Sequence, residues 1–495
     1  MSLKFSRRKV LASGAAALVA VPARRAMAAS AMPLTVERRT LEVNGKPASV
    51  FGIRQDNGVF GAFLDPGQRF TVDLHNQAGE PTIIHWHGQT PPVVQDGVTT
   101  TGLETLIGNG AIQNYDYAPR PGTHWMHSHQ GLQEQMLMAA PLVVRTADDL
   151  RADVQEVTVL LQDFTFRDPR EILAGLTHGT SMQTGSATAM GGSAVAGTAM
   201  SGNGMSGMAM PMASTQTATV GMDLNDVDFD AYLANDRTLA DPLIVKAERG
   251  GRVRLRLING ATSTAFWVDL GSLQGSVIAV DGDPVRAVAV RRFPIAEGQR
   301  VDVMLRLPPQ GGAFPIIAQR EGDRQRTGIV LATRGASIVK LDSTATTSLG
   351  AADISLERQL SATAPLSQRR VNRLLRVTLA GTMMPYGWTI DGRTWANHKP
   401  LEVQHGERVA LDIVNQTTMA HPMHLHGHHF QVVALNGTPT LGAMRDTVLV
   451  PAKGSVRVAF DADNPGRWLF HCHNLYHMAT GMITEVAYPG FVPGI

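Results

Sequence analysis

The chain has 495 residues, 43% of them hydrophobic and 17% charged, with 44 Lys and Arg against 42 Asp and Glu and a formal net charge of +2. So even a balance excludes a surface built to neutralise nucleic acid or anionic lipid. A single cysteine, Cys472, excludes an intrachain disulfide, so stability must come from a buried core.

Residues 1–28 read as an export signal. Lys4, Arg7, Arg8 and Lys9 precede an apolar run from Val10 to Val21, and Ala26-Met27-Ala28 has the small-x-small form of a cleavage site. The run is shorter than the roughly 20 residues a membrane span needs, so the segment is expected to be removed, leaving no stable anchor. Arg7-Arg8 is a twin arginine, the mark of a bacterial route to the periplasm that suits proteins folded before export. The signal carries six basic side chains and no acid; without it 38 basic groups face 42 acidic ones, a formal charge of −4.

Beyond the signal, period-2 stretches such as Arg69-Phe70-Thr71-Val72-Asp73-Leu74 alternate with Gly, Pro and Asn, which predicts an all-β chain of sandwiches or barrels. A repeat sets the domain count. Gly67-x-Arg69, Gly250-x-Arg252 and Gly406-x-Arg408 each open an alternating stretch that closes on Asn nine residues after the Gly: Asn76, Asn259 and Asn415. Three homologous domains are expected at 30–147, 153–334 and 370–495, with a Ser-, Thr- and Ala-rich linker at 335–369.

The histidines fall on this repeat in register. Nine residues after Asn76 lies His85, in His85-Trp86-His87-Gly88, and nine after Asn415 lies His424, in His421-Pro-Met-His424-Leu-His426; the same place after Asn259 holds Val268. Five residues after Gly122 comes His127-Ser128-His129, and five after Gly466 comes His471-Cys472-His473, where the second domain has Ile317-Ala318-Gln319. Domains 1 and 3 each offer two His-x-His strands, so packed face to face they would gather eight imidazoles, far more than a core tolerates unpaired. Imidazole suits copper, zinc, iron or nickel, and the count alone does not choose. Cys472 does. With His421, His477 and Met482 it completes two imidazoles, a thiolate and a thioether, the donor set of a blue copper centre. Domain 1 has Ser128 and Thr82 at the places of Cys472 and His421, so only one such site forms.

The four motifs, His-Trp-His-Gly, His-Ser-His, His-Pro-x-His-Leu-His-Gly and His-Cys-His-x-x-x-His-x-x-x-x-Met, resemble those of the multicopper oxidases, in the family's order and at both ends of the mature chain. Bacterial copper-resistance and cuprous oxidases with three cupredoxin domains are the most similar branch. The resemblance implies three cupredoxin-like Greek-key β-sandwich domains and four copper ions. It implies a type 1 copper on His421, Cys472, His477 and Met482, and a type 2 copper on His85 and His424. It further implies a type 3 pair, one ion on His87, His127 and His473 and the other on His129, His426 and His471. Electrons would enter at type 1 and pass through Cys472 to His471 and His473, and dioxygen would become water at the trinuclear cluster. Asp96 matches the family's acidic residue near that cluster. Several relatives carry a second carboxylate where this chain has Met478.

Between Leu176 and Met222, inside the second domain, eight methionines (Met182, Met190, Met200, Met205, Met208, Met210, Met212 and Met222) lie in a matrix of Gly, Ser, Ala and Thr that cannot build a core. Thioethers are soft donors selective for cuprous ion. Met419, two residues before His421, is a further thioether near the site. His75, His124, His398, His405, His428 and His429 read as surface or supporting groups, and His178 opens the methionine-rich stretch. Three functions fit: a periplasmic oxidase of cuprous ion, a laccase-like phenol oxidase, or a copper-sequestering protein. The expected partners are dioxygen and a cuprous or phenolic reductant, and the chain is expected to be a monomer.

Overall fold

Alternation carries directly into strands: along Phe70–Gln77, Phe70, Val72 and Leu74 are buried while Thr71, Asp73 and His75 are half-exposed. The computed structural model describes residues 31–178 and 224–492, so the signal at 1–28 and most of the methionine-rich insertion lie outside the described residues. Among the described residues the chain is all-β, with six sheets paired into three cupredoxin-like Greek-key sandwiches.

The repeat occupies one place in each sandwich. Phe70–Gln77 pairs parallel with Met32–Val43, Arg252–Asn259 with Gln155–Phe164, and Arg408–Asn415 with Arg373–Met383. The repeated glycines have φ of 77°, 68° and 82°, a left-handed turn that excludes a Cβ at low cost. Each closing asparagine then staples its strand to the next loop. Asn76 Nδ2 donates to the Ile107 carbonyl at 2.8 Å, Asn259 Nδ2 to Ile295 at 3.0 Å, and Asn415 Nδ2 to Val450 at 3.2 Å. Those staples fix where the following histidine strands begin.

One apolar core runs through the second and third sandwiches and another fills the first. The stretch at 335–369 is packed rather than loose: Ile354, Leu356 and Leu360 are buried, and Glu357 accepts from Arg445 at 2.6 Å. Among the described residues no helix is long and apolar enough to cross a membrane.

Candidate metal centre

Strand register brings the histidines together. His85 lies opposite His127, His424 opposite His471, and Cys472 opposite Met423, so one face of strand Arg467–Cys472 carries an imidazole and the other the thiol. Three imidazole groups result, each with donor atoms within 4.8 Å of one another: His87, His127 and His473; His129, His426 and His471; and His85, His87 and His424. All are buried except half-buried His129. Burial holds His87, His127, His129, His426, His471 and His473 well below the usual imidazole range, the uncharged form that ligates a metal.

In most of these rings one nitrogen is tied to oxygen and the other is left for an ion. His85 Nδ1 lies 2.8 Å from the Asp96 carbonyl, His424 Nδ1 2.9 Å from the Asp446 carbonyl, and His127 Nδ1 2.9 Å from Glu134 Oε2. Their Nε2 atoms are buried without a hydrogen-bond partner, as are His87 Nδ1 and both His473 nitrogens. Buried orphans of this kind are costly unless something binds them, so the residues fit metal ions.

A second site lies on the opposite face. His421 Nδ1 and His477 Nδ1 are 3.1 Å apart, and Cys472 Sγ is 3.7 and 3.6 Å from them. The far nitrogens are again held: Thr417 Oγ1 is 2.7 Å from His421 Nε2, and Asp226 Oδ2 is 3.0 Å from His477 Nε2. Asn474 caps the helix Leu475–Thr480 that presents His477, and its Nδ2 donates to Asp226 at 2.8 Å. Gly481, at φ 133°, ends that helix where a Cβ would sit 2.7 Å from the Trp388 carbonyl. The turn brings Met482, fully buried, back against the site, its carbonyl accepting from Cys472 N at 3.0 Å. Burial pushes the Cys472 thiol up, so its thiolate forms only against a bound cation.

The first sandwich keeps the same frame without the donors. Ser128 N donates to the Met138 carbonyl at 2.9 Å, as Cys472 N does to Met482. The Thr82 and Ser128 hydroxyls both reach Gln133 Oε1, at 2.7 and 2.8 Å, and Thr82 Oγ1 lies 3.1 Å from the Met138 sulfur. A closed hydrogen-bonded set stands where the third sandwich has its thiol and imidazoles.

Asp96 reaches two rings at once, with Oδ2 2.9 Å from His426 Nδ1 and Oδ1 3.3 Å from His85 Nδ1. Four supporting groups were not legible from spacing: Glu134, Asp226, Thr417 and Asp446. Asp446 Oδ1 is 3.1 Å from His87 Nε2 and accepts from Arg300 at 2.8 Å; against the cost of burial, that guanidinium holds its carboxyl well below the usual range. His124, His428 and His429 are buried structural groups, His428 on the Tyr488 hydroxyl at 2.7 Å and His429 on the Gly88 carbonyl at 2.8 Å. Met419 is buried and Met478 half-buried.

Family models described as multicopper oxidase match residues 36–149, 155–338 and 369–490. Multicopper oxidase MmcO of Mycobacterium tuberculosis is 34% identical, over 85% of this chain and 80% of its own length. Copper resistance protein A of Escherichia coli is 26% identical, over 98% of this chain and 99% of its own. The crystal structure of a laccase from Botrytis aclada shares the fold, with a TM-score of 0.70 at 22% identity over 92% of this chain and 87% of the laccase. On the three domain matches and the identity to MmcO, this chain belongs to the multicopper oxidase family, the copper-dependent oxidoreductases.

Proposed function

We propose that the protein oxidises cuprous ion with dioxygen in the periplasm, reached through its twin-arginine signal, as a copper-tolerance enzyme built of three domains at 30–147, 153–334 and 370–495. His421, Cys472, His477 and Met482 would hold a type 1 copper, and His85 and His424 a type 2 copper. His87, His127 and His473 would hold one type 3 ion, and His129, His426 and His471 the other. Bound copper supplies one-electron oxidation of substrate at the first site and four-electron reduction of dioxygen to water at the other three. The chain supplies the path between them, since Cys472 is bonded in sequence to both His471 and His473.

The observation that favours a cation over a phenol is a cavity of about 270 Å³ lined by Glu297, Glu321, Ser263, Met419 and Asn474. It adjoins the thiol site through Met419, two residues before His421, and through Asn474, which donates to Asp226 beside His477. Burial pushes Glu321 up to about 7 and Glu297 well above its usual range. The Met419 thioether is a soft donor that suits cuprous ion, and the two buried carboxyls gain by trading a proton for a cation, which a neutral aromatic ring does not offer. The insertion's described flanks support the same reading: helix Pro169–Thr177 rests against strand Tyr386–Ile390, whose Trp388 ring lies 4.1 Å from the His477 ring.

Replacing Met205, Met208, Met210 and Met212 with Leu tests this directly. If tethered thioethers concentrate cuprous ion, kcat/KM for cuprous ion should fall roughly tenfold while that for a dimethoxyphenol stays unchanged. A parallel fall of both would assign the segment to folding or copper loading, and normal cuprous kinetics would make it a passive linker. Met482→Leu should keep the blue site and raise its reduction potential, because a weak axial thioether tunes the metal more than it holds it. Loss of the blue absorption on that change would make Met482 an anchor instead.

A further inference from the structure

Among the described residues the second sandwich contributes no donor to the three imidazole groups, yet its backbone touches one of them. The turn between its strands Arg292–Ile295 and Arg300–Arg306 runs Ala296-Glu297-Gly298-Gln299 and carries Gly298 onto the group of His87, His127 and His473. A Cβ at Gly298 would lie 2.8 Å from His473 Cδ2, 3.0 Å from its Cγ and 3.2 Å from His87 Cε1, and the φ of 78° already favours glycine there. His473 is the ring of this group that hydrogen bonds leave unoriented. His87 Nε2 is held by Asp446 and His127 Nδ1 by Glu134, whereas both His473 nitrogens are buried without a partner. Its plane is therefore set by packing. Trp125 packs on the same group, its ring centroid 5.3 Å from that of His473 and 4.3 Å from that of His127, and it clusters with Leu160 and Ile258 of the second sandwich.

The geometry points to Gly298 as a positioning residue for the metal centre: bare backbone, from a sandwich that contributes no donor, is the wall that keeps the His473 ring in its ligating orientation. This rests on reading His87, His127 and His473 as the holders of one ion. The wall is stiff. Gly298 N–H donates to the Asn259 carbonyl at 2.9 Å, and the Gly298 carbonyl accepts from Arg300 Nη1 at 2.9 Å, while Arg300 itself is tied to Asp446 at 2.8 Å and to the Thr123 carbonyl at 3.2 Å. The His473 backbone is pinned as well, its N–H donating to the Pro422 carbonyl at 2.7 Å. A side chain at position 298 therefore leaves the imidazole as the part that can give, by rotation about its own torsions. A ring so turned no longer presents a nitrogen to an ion shared with His87 and His127.

The test compares G298A with G335A in the copper-loaded full chain. Gly335 has φ 80° and a Cβ there meets nothing within 4 Å, so G335A carries the same left-handed strain without a clash. G298A should give up one copper to a chelator roughly tenfold or more readily than the unchanged protein, whereas G335A should match the unchanged protein, and both should keep the blue absorption. Crystal structures of the metal-free variants should show the His473 ring turned in G298A alone. A double-mutant cycle on the metal-free protein separates contact from general damage even where G298A folds poorly. G298A should lower the urea midpoint by more than G335A does, and in an H473A background the two losses should become equal. A G298A protein that retains its copper with the His473 ring in place, or a G298A loss that H473A leaves unaltered, overturns the proposal. An unchanged protein that binds only the blue copper overturns the reading of the imidazole cluster, and with it the role given to Gly298.

Discussion

Cys472→Ser should abolish oxidation of every reductant together with the intense blue absorption. The thiolate is the sole sulfur anion of the chain, and it lies between the imidazoles of His421 and His477 on one side and the peptides leading to His471 and His473 on the other. A serine hydroxyl of nearly the same size keeps the packing but supplies neither the charge-transfer colour nor the electron path. The eight imidazoles of the other group do not contact this sulfur in the register of the strands, so the variant should still bind about three coppers against about four expected for the intact protein. Metal analysis with visible and paramagnetic resonance spectra checks this. A serine variant that remains blue would remove Cys472 from the centre, and one that binds no copper would mean that the two sites load together.

Asp446→Ala should be the most damaging substitution outside the metal ligands. The carboxylate is fully buried, accepts from Arg300 at 2.8 Å, and stands 3.1 Å from His87 Nε2. Removing it takes the hydrogen-bonded carboxylate from a fully buried guanidinium, which keeps Asp281 at 3.8 Å and the Gly298 and Thr123 carbonyls, at a cost of about 3 kcal/mol, and frees two rings to rotate. Urea unfolding of the metal-free protein should report the first loss and copper content the second. Asp446→Ala combined with Arg300→Met separates the two, since it removes the under-compensated buried charge and should recover stability without recovering copper. If both variants load copper normally, Asp446 has no part in orienting His87 and His424.

The fold and the imidazole pairs were legible because the repeat preserves register. Gly67, Gly250 and Gly406 begin the same turn and Asn76, Asn259 and Asn415 close the same staple, so a count of nine residues reaches the same strand in each copy. Alternation then decided which side chains share a face, and it separated Cys472 from His471 and His473. The groups that hold the rings were not legible because they arrive from elsewhere in the chain. Asp446 is 146 residues from its partner Arg300, and Asp226 lies just past the methionine-rich insertion, where nothing in the local pattern connects it to His477. At 335–369, expected from its Ser, Thr and Ala content as a linker, sparse Ile354, Leu356 and Leu360 pack against the core, which composition alone does not reveal.

The central claim is that cuprous ion is the substrate, and steady-state oxidation by the copper-loaded protein, followed with an oxygen electrode, tests it most directly. Cuprous ion, presented in a stabilising chelate, is compared with a dimethoxyphenol, each with and without added cupric salt. The account predicts a higher kcat/KM for cuprous ion, about four cuprous ions oxidised per dioxygen consumed and no hydrogen peroxide released. A higher kcat/KM for the phenol, unaltered by cupric salt, would contradict it and make the protein a laccase-like phenol oxidase.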